Sequence, residues 1–403
     1  MKVGILADDL TSATDGAAPF VSMGHRCIVF ADHRQTPPED VAIISVNKRS
    51  RTASLEDATE RAAWAAKSLA SADVLYNTVD STIRGHLEAE IASALAASGR
   101  SLAVLAPAFP DGGRTTEKGR QLLHGVPLEE TEFARDPLHP VKDSDLRALF
   151  PGIPETEVRY LTLAKVRTLK PGDLVADGRT LVIADAVMQD DLVLLVRSAA
   201  DPKSILWCGS PGLASALAIS VAPADDTAPS SLAASVNLFV VGSVNPRSRE
   251  QCSKLIGTGN VRQITIDAAE ASRSPILAAQ NAIGQQDQSA SSGDILLTTS
   301  EGDTSADPRA IAIALGKAAR AIMKRHPVTG ILLTGGDTAE SILRELEVGS
   351  LELLGEIEPG VPIGRVTGSN PIGIITKAGG FGSPNLLLKS AEVLRGLWLG
   401  DKK

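Results

Sequence analysis

The chain opens with an apolar run, Val3, Ile5, Leu6 and Ala7, that stops abruptly at two adjacent carboxylates, Asp8 and Asp9. A hydroxyl residue then opens a segment in which Ala13, Ala17, Phe20 and Val21 recur at helical spacing, closed near Gly24. This is how a buried strand feeds a helix, with polar groups gathered at the carboxyl end of the strand. Open α/β sheets bind their ligands at that edge. A helix cap accounts for one acid. Two adjacent acids with a third at Asp15 exceed a cap and point to a functional cluster.

The alternation continues along the first half. Residues 27–31, 41–46, 74–76 and 102–106 read as buried strands, and helices are predicted from Ser54 through the Ala-rich run to Ala72 and over 88–98. Ser54-Leu55-Glu56-Asp57 has the Ser-x-x-acid form of a helix start. Such alternation implies βαβ units and a parallel sheet. The rhythm breaks over 106–145, a polar stretch rich in Pro, Gly, His and Arg, read here as a binding or interface loop. It resumes with strands at 181–184 and 205–208 and helices near 190–199 and 212–221.

Residues 222–231 have linker composition, which places a boundary between domains at 1–228 and 229–403. In the second half, strands are predicted from Leu238 to Gly242-Ser243 and at 264–266, 295–298 and 331–333. Helices are predicted near Pro246 and over 276–283, 308–324 and 338–346. The expected architecture is two α/β domains with mostly parallel sheets and a ligand cleft between them.

Composition narrows the partners. The 403 residues are 43% hydrophobic but only 3% aromatic, which supplies a core and few stacking platforms. A net charge of −8 argues against nucleic acid or an anionic membrane as partner. Cys27, Cys208 and Cys252 have no CxxC spacing and read as buried thiols kept reduced. No basic leader or bilayer-length apolar run is found, so a cytoplasmic protein is expected. The six histidines (25, 33, 86, 124, 139 and 326) show no metal-ligand spacing, and no protein-bound metal is expected.

The candidate chemistry divides between the halves. In the second, three glycine turns follow predicted strands: Gly242-Ser243, Thr334-Gly335-Gly336-Asp337-Thr338 and Lys377-Ala378-Gly379-Gly380-Phe381-Gly382-Ser383. Glycine lets backbone N–H groups approach a phosphate, and a helix N-terminus favours the anion. Three such turns read as a nucleotide phosphate site, although none has the Walker A form or the G-x-G-x-x-G dinucleotide form. In the first half, Arg49, Arg51 and Arg84 follow predicted strands, where a guanidinium can hold a carboxylate bidentately. His86 and His124 stand near enough in sequence to the polar loops to touch a substrate.

Taken in order, these pieces resemble the four-carbon acid sugar kinase family over nearly the whole chain. The resemblance rests on Ala7-Asp8-Asp9-Leu10-Thr11 with Asp15, Asp80-Ser81-Thr82 with Arg84-Gly85, and Ala106-Pro107-Ala108-Phe109-Pro110 with Gly113-Arg114-Thr115. It continues through Gly242-Ser243, Thr334–Ala339 and Lys377 with Gly379-Gly380-Phe381-Gly382. It implies an N-terminal sugar-acid domain, a C-terminal ATP domain, and phosphorylation of threonate, erythronate or 3-oxo-tetronate with ATP and Mg²⁺. Under that reading Asp8 or Asp9 accepts or orients the hydroxyl proton, or reaches Mg²⁺ through water. Arg51 and Arg84 hold the substrate carboxylate, and Thr11, Asp80 and Ser81 bind substrate. Ser243, Gly335, Gly336, Asp337, Thr338, Gly379, Gly380 and Gly382 cradle ATP.

Three positions depart from the family pattern. Ser12 stands in place of glycine, Asn77-Thr78 where lysine is expected, and Asn245-Pro246 where small hydroxyl residues are usual. They bear on the substrate more than on the reaction. Two other classes fit two α/β domains: an NAD(P)-dependent hydroxy-acid oxidoreductase, which lacks its fingerprint here, and a non-enzymatic sugar-acid binding protein. A homodimer through the 106–145 arm and a loop folded onto its own domain are equally compatible with the sequence.

Overall fold

A computed structural model describes residues 1–31, 41–136, 139–221, 236–284, 293–300, 306–367 and 372–396. His33 and the linker predicted over 222–231 lie outside them. The chain divides into two compact units, Met1–Thr227 and Ala228–Lys403.

The first unit carries strands β1 (Val3–Ala7), β2 (Cys27–Phe30), β3 (Ile43–Asn47), β4 (Val74–Thr78), β5 (Leu102–Ala106), β6 (Arg114–Glu117), β7 (Arg120–Leu123), β8 (Val126–Pro127), β9 (Glu157–Leu161), β10 (Thr180–Ala184) and β11 (Ile205–Gly209). Eight of them form a parallel sheet in the order β2-β3-β1-β4-β11-β5-β10-β9. β1 is buried along its whole length, so it reads as an unbroken apolar run. It lies between β3 and β4, where the chain's direction across the sheet reverses. That reversal opens the crevice in which doubly wound sheets bind ligands.

The second unit carries β12 (Val236–Val241), β13 (Val261–Ile266), β14 (Asp294–Thr299), β15 (Val328–Thr334), β16 (Ser350–Glu358), β17 (Val361–Val366) and β18 (Gly373–Lys377). Their order is β13-β14-β12-β15-β18-β17-β16. The first five run parallel, while β17 pairs antiparallel with both β18 and β16.

Several expectations need correction. The first helix is two, Leu10–Asp15 and Ala18–Ser22, separated at Gly16. Pro19 in the opening turn of the second has no N–H to offer and cannot continue the first. The stretch 106–145 is not irregular throughout: β6, β7 and β8 form a small antiparallel sheet. Three of its four buried positions are polar, Arg114, Thr116 and Gln121, with Leu123 the fourth, and Thr116 and Gln121 are joined by a 2.6 Å side-chain hydrogen bond. Apolar periodicity therefore gives no sign of it. β9, the β16–β17 hairpin and the helix Leu386–Leu394 also went unpredicted.

Cys27, Cys208 and Cys252 are buried free thiols, and no described helix is long and apolar enough to cross a membrane. At the centre of the first sheet Tyr76 and Trp207 are register partners with no solvent exposure. The Tyr76 hydroxyl donates to the Gly209 and Ser210 carbonyls, 2.7 Å from each, tying β4 to the turn after β11. Both carbonyls also accept backbone N–H bonds, from Val79 and from Leu213 and Ala214, so Tyr76→Phe removes the hydroxyl's bonds without stranding an acceptor and should cost about 1 kcal/mol. Urea unfolding followed by tryptophan fluorescence measures this, and an unchanged midpoint would show the bond to be dispensable.

Candidate functional site

At the sheet edge of the first unit, three loops leave the neighbouring parallel strands β3, β1 and β4. Asp8 and Asp9 follow β1, and Lys48 to Arg51 follow β3. Asp80 to Gly85 follow β4. The β3 loop is zipped to the end of β1: Lys48 N–H donates to the Ala7 carbonyl, and Ser50 and Arg51 N–H donate to that of Asp8. Asp9 caps the helix Leu10–Asp15, its Oδ1 accepting from Ser12 N–H at 2.7 Å and Thr11 Oγ1 at 2.8 Å. One residue thus both caps a helix and stands in the acid cluster.

Arg51 locks the acids in place. Its Nε and Nη2 donate to Asp8 Oδ2 and Oδ1 at 2.8 and 3.0 Å, Nη1 donates to Asp9 Oδ2, and Nη2 also reaches Ser12 Oγ at 2.9 Å. Ser12, the departure from glycine, therefore buttresses the guanidinium. Four of the five N–H groups of an arginine are consumed in this way. Burial opposes the charge of Arg51, but Asp8, Asp9 and Asp80 together raise its pKa well above the ordinary value.

Arg84 is less committed. Nε donates to Asp80 Oδ2 at 2.5 Å, Nη1 to Asp136 Oδ2 at 2.9 Å, and the guanidinium sits over the Phe133 ring, 5.4 Å from its centroid. Its Nη2 makes no hydrogen bond to a described residue. Burial works against an ionised Asp80, yet Arg84 and Arg51 prevail and hold the carboxyl far below its usual value. Thr82 Oγ1 donates to the same carboxylate at 2.6 Å. The Ser81 hydroxyl has no partner among the described residues, while its carbonyl is held by Gln121. Gly85 brings this loop against the others: a Cβ there would lie 3.9 Å from Asp8 Oδ2 and from Arg51 Cγ.

Each outer loop also holds a non-glycine residue in the left-handed region, Arg49 at φ 54° and Ile83 at φ 55°. Such residues persist where the surroundings over-determine them, and they cluster at functional sites. Arg49 is pinned by Asn47 Oδ1 at its N–H and by Arg61 at its carbonyl. His86 turns to the Ala53 carbonyl, and its ring meets His139 edge-on at 6.1 Å. His124 packs against Gly113, on the small antiparallel sheet.

Beneath these loops lies a layer that the sequence reading missed. Lys48 is fully buried, its Nζ 2.5 Å from Glu90 Oε2 and 2.8 Å from Asn77 Oδ1, and Ser50 Oγ donates to the same Glu90 oxygen at 2.7 Å. Asn77-Thr78 stands where lysine was expected, and here an ammonium reaches that place from β3 instead. The available signal was Glu90, an acid within the apolar face Leu87, Ile91, Ala94 and Leu95 of its helix.

In the second unit, the turns after β12, β15 and β18 stand on adjacent parallel strands, so their carboxyl ends share one edge. Gly335 holds φ 91° and opens the helix Gly336–Glu345, whose first turn contains Gly336, Asp337 and Thr338. A Cβ at Gly379 would lie 2.4 Å from Ser243 Oγ, so only glycine lets these turns approach. Among the described residues nothing accepts a hydrogen bond from the N–H groups of Gly379, Gly380 or Gly382. Asn245 caps the helix Pro246–Ile256 and accepts from Arg247 N–H at 2.9 Å, with Pro246 at the helix start, so this departure still builds a well-formed N-terminus. No group of three His, Cys, Asp or Glu side chains among the described residues is arranged to hold a metal ion.

Residues 3–217 match the family described as a sugar-binding N-terminal domain, and residues 238–387 match a nucleotide-binding C-terminal domain. A D-threonate kinase of Salmonella typhimurium is 30% identical over 100% of both chains, and one of Bordetella bronchiseptica is 31% identical over 98% of this chain and 97% of its own. The chain belongs to the four-carbon acid sugar kinase family. More distant members are named D-erythronate kinase and 3-oxo-tetronate kinase. A crystal structure from Salmonella typhimurium LT2, 21% identical, superposes with a TM-score of 0.75 over 96% of this chain and 98% of its own, which shows the family fold.

The buried layer makes a test independent of activity. Glu90→Gln leaves the Lys48 ammonium among neutral acceptors and should cost about 3 kcal/mol, whereas Lys48→Met combined with Glu90→Leu should recover about half of that loss. Urea unfolding measures both. A double variant no more stable than Glu90→Gln would show that the ion pair does more than balance its own charges.

Proposed function

We propose that this protein is an ATP-dependent kinase that phosphorylates a hydroxyl of a four-carbon sugar acid of the threonate, erythronate or 3-oxo-tetronate type. The observation that carries the reading is the acid edge Asp8, Asp9 and Asp80 of a sugar-binding unit, occurring in one chain with a nucleotide-binding unit. Phosphoryl transfer through a loose transition state asks little covalent help of the protein. It needs positioning, charge neutralisation and an oriented acceptor hydroxyl.

Spare acceptor sites divide the roles. Asp9 accepts three bonds, from Ser12 N–H and Thr11 on Oδ1 and from Arg51 on Oδ2, whereas Asp8 accepts two, both from Arg51. Asp8 therefore takes or orients the hydroxyl proton, and Asp9 fixes the loop and the guanidinium. The open Nη2 of Arg84 anchors the substrate carboxylate, and Ser81 Oγ and Asp80 meet substrate hydroxyls. Arg51 acts mainly through the acids it aligns. Ser243, the Gly335–Thr338 turn and Gly379 to Gly382 receive the nucleotide phosphates.

Mg²⁺ suits this donor set as an ion carried by the nucleotide, since it keeps several waters and binds phosphate oxygens with one or two carboxylates. When bound it neutralises the β- and γ-phosphate charge. Direct transfer further requires the γ-phosphoryl group and the acceptor hydroxyl to meet with water excluded.

ADP release from Mg·ATP across D- and L-threonate, D- and L-erythronate and their 3-oxo relatives should single out one acid. Silence across the panel from protein that binds ADP would refute the four-carbon assignment. Asp8→Asn should lower turnover at least about a hundredfold with ADP affinity and circular dichroism unchanged. Near-normal turnover would remove Asp8 from the proton's path. Arg84→Ala should raise the KM for the sugar acid and leave ADP affinity alone. An unchanged KM would reject its role as anchor.

A further inference from the structure

Lys377 ends β18 and is 1% exposed, as deeply buried as Lys48, but its surroundings differ. Lys48 faces a carboxylate. Lys377 faces none among the described residues: its Nζ lies 3.1 Å from Ser248 Oγ and 3.2 Å from the Gly379 carbonyl. Ser248 Oγ donates to the same carbonyl at 2.7 Å. The backbone carbonyl of Lys377 accepts from Gly335 N–H at 2.9 Å. One residue thus joins the turns after β15 and β18 to the helix that follows β12. By holding the Gly379 carbonyl inward it also fixes a turn whose glycine N–H groups are unused.

A buried ammonium with only neutral acceptors is costly, and the cost falls when an anion arrives. Resting on the nucleotide-site reading above, we propose that Lys377 is a positioning residue of the nucleotide site whose charge is completed by the phosphates, so that nucleotide binding draws one proton from solvent onto its Nζ. No bond other than N–H forms in this step, and the proton comes from water or buffer. Burial pushes the Lys377 ammonium down to about 7, opposed by Cys252 and reinforced by Arg247, both on the helix Pro246–Ile256. Burial also pushes the Cys252 thiol up to about 11, so it supplies no counter-charge near neutrality. No other titratable group among the described residues acts on Lys377.

Above about pH 7 the free protein has lost this proton and the complex regains it, so ADP affinity should fall by up to tenfold per pH unit. Calorimetry of Mg·ADP binding to the full chain at about pH 8, in buffers of different ionisation enthalpy, should report uptake of about one proton per ADP. Lys377→Arg keeps the charge without titrating there, and should bind ADP with no uptake. Lys377→Met should bind at least about tenfold more weakly, also without uptake. Wild-type binding with no buffer-dependent heat, or full uptake in Lys377→Met, overturns the proposal. If Lys377→Met fails to fold by circular dichroism, the wild-type heats and Lys377→Arg decide. No ADP binding by the wild type defeats the nucleotide-site reading itself, a separate and recognisable result.

Discussion

Two aspartates in succession at the end of a buried strand need a cation that reaches both, and Arg51 is that cation. It arrives from another strand, so its position depends on the β1–β3 register, in which Ala7 faces Asn47. The pairing does not end with the strands. Lys48, Ser50 and Arg51 continue it by bonding to the Ala7 and Asp8 carbonyls. A slip of one residue would carry the guanidinium to the other face and leave the acids unpaired. The acids, the arginine and the order of three strands are therefore one constraint.

That constraint explains the strain around it. Arg49 must turn through a left-handed conformation for the chain to leave β3 and deliver Arg51 two residues later, and Ile83 does the same between Asp80 and Gly85. Each costs on the order of 1 kcal/mol or more, which the side-chain and backbone bonds around Asn47, Arg61 and Asp80 offset. The second unit meets a related problem with the opposite chemistry. Its edge presents glycine N–H groups, and the one deeply buried lysine among its described residues has serine and a carbonyl for partners. An edge that satisfies its own charges holds a pre-organised site. An edge with an unmatched cation is complementary to an anion.

Much of this was legible in the chain because α/β folds write their active edges into local sequence. Strand, acid pair and helix start lie within the thirteen residues Val3–Asp15, and each glycine turn follows its strand directly. The polar loops after β4 and β18 were found for the same reason. What failed to show was structure without apolar periodicity. The β6–β8 sheet buries Arg114, Thr116 and Gln121 with a single leucine, Leu123, and β9 at the sheet margin is only half buried. The β16–β17 hairpin did alternate, with Leu351, Leu353 and Ile357 inward, but two register shifts interrupt the period.

Long-range polar pairing is harder, and the Lys48–Glu90 bridge shows why. The partners are 42 residues apart, and neither has an unusual neighbour in sequence. Each nevertheless breaks a local rule: Glu90 occupies an apolar face, and Lys48 extends a strand buried at four of its five positions. A charge that violates its local pattern must find an opposite charge that violates its own, because burying either alone costs several kcal/mol. Once strand order places β3 beside β1 and β1 beside β4, few such pairs remain. Applied to the second unit, the same rule leaves Lys377 with no violating acid to match among the described residues, and so directs attention to a partner that is not part of the chain.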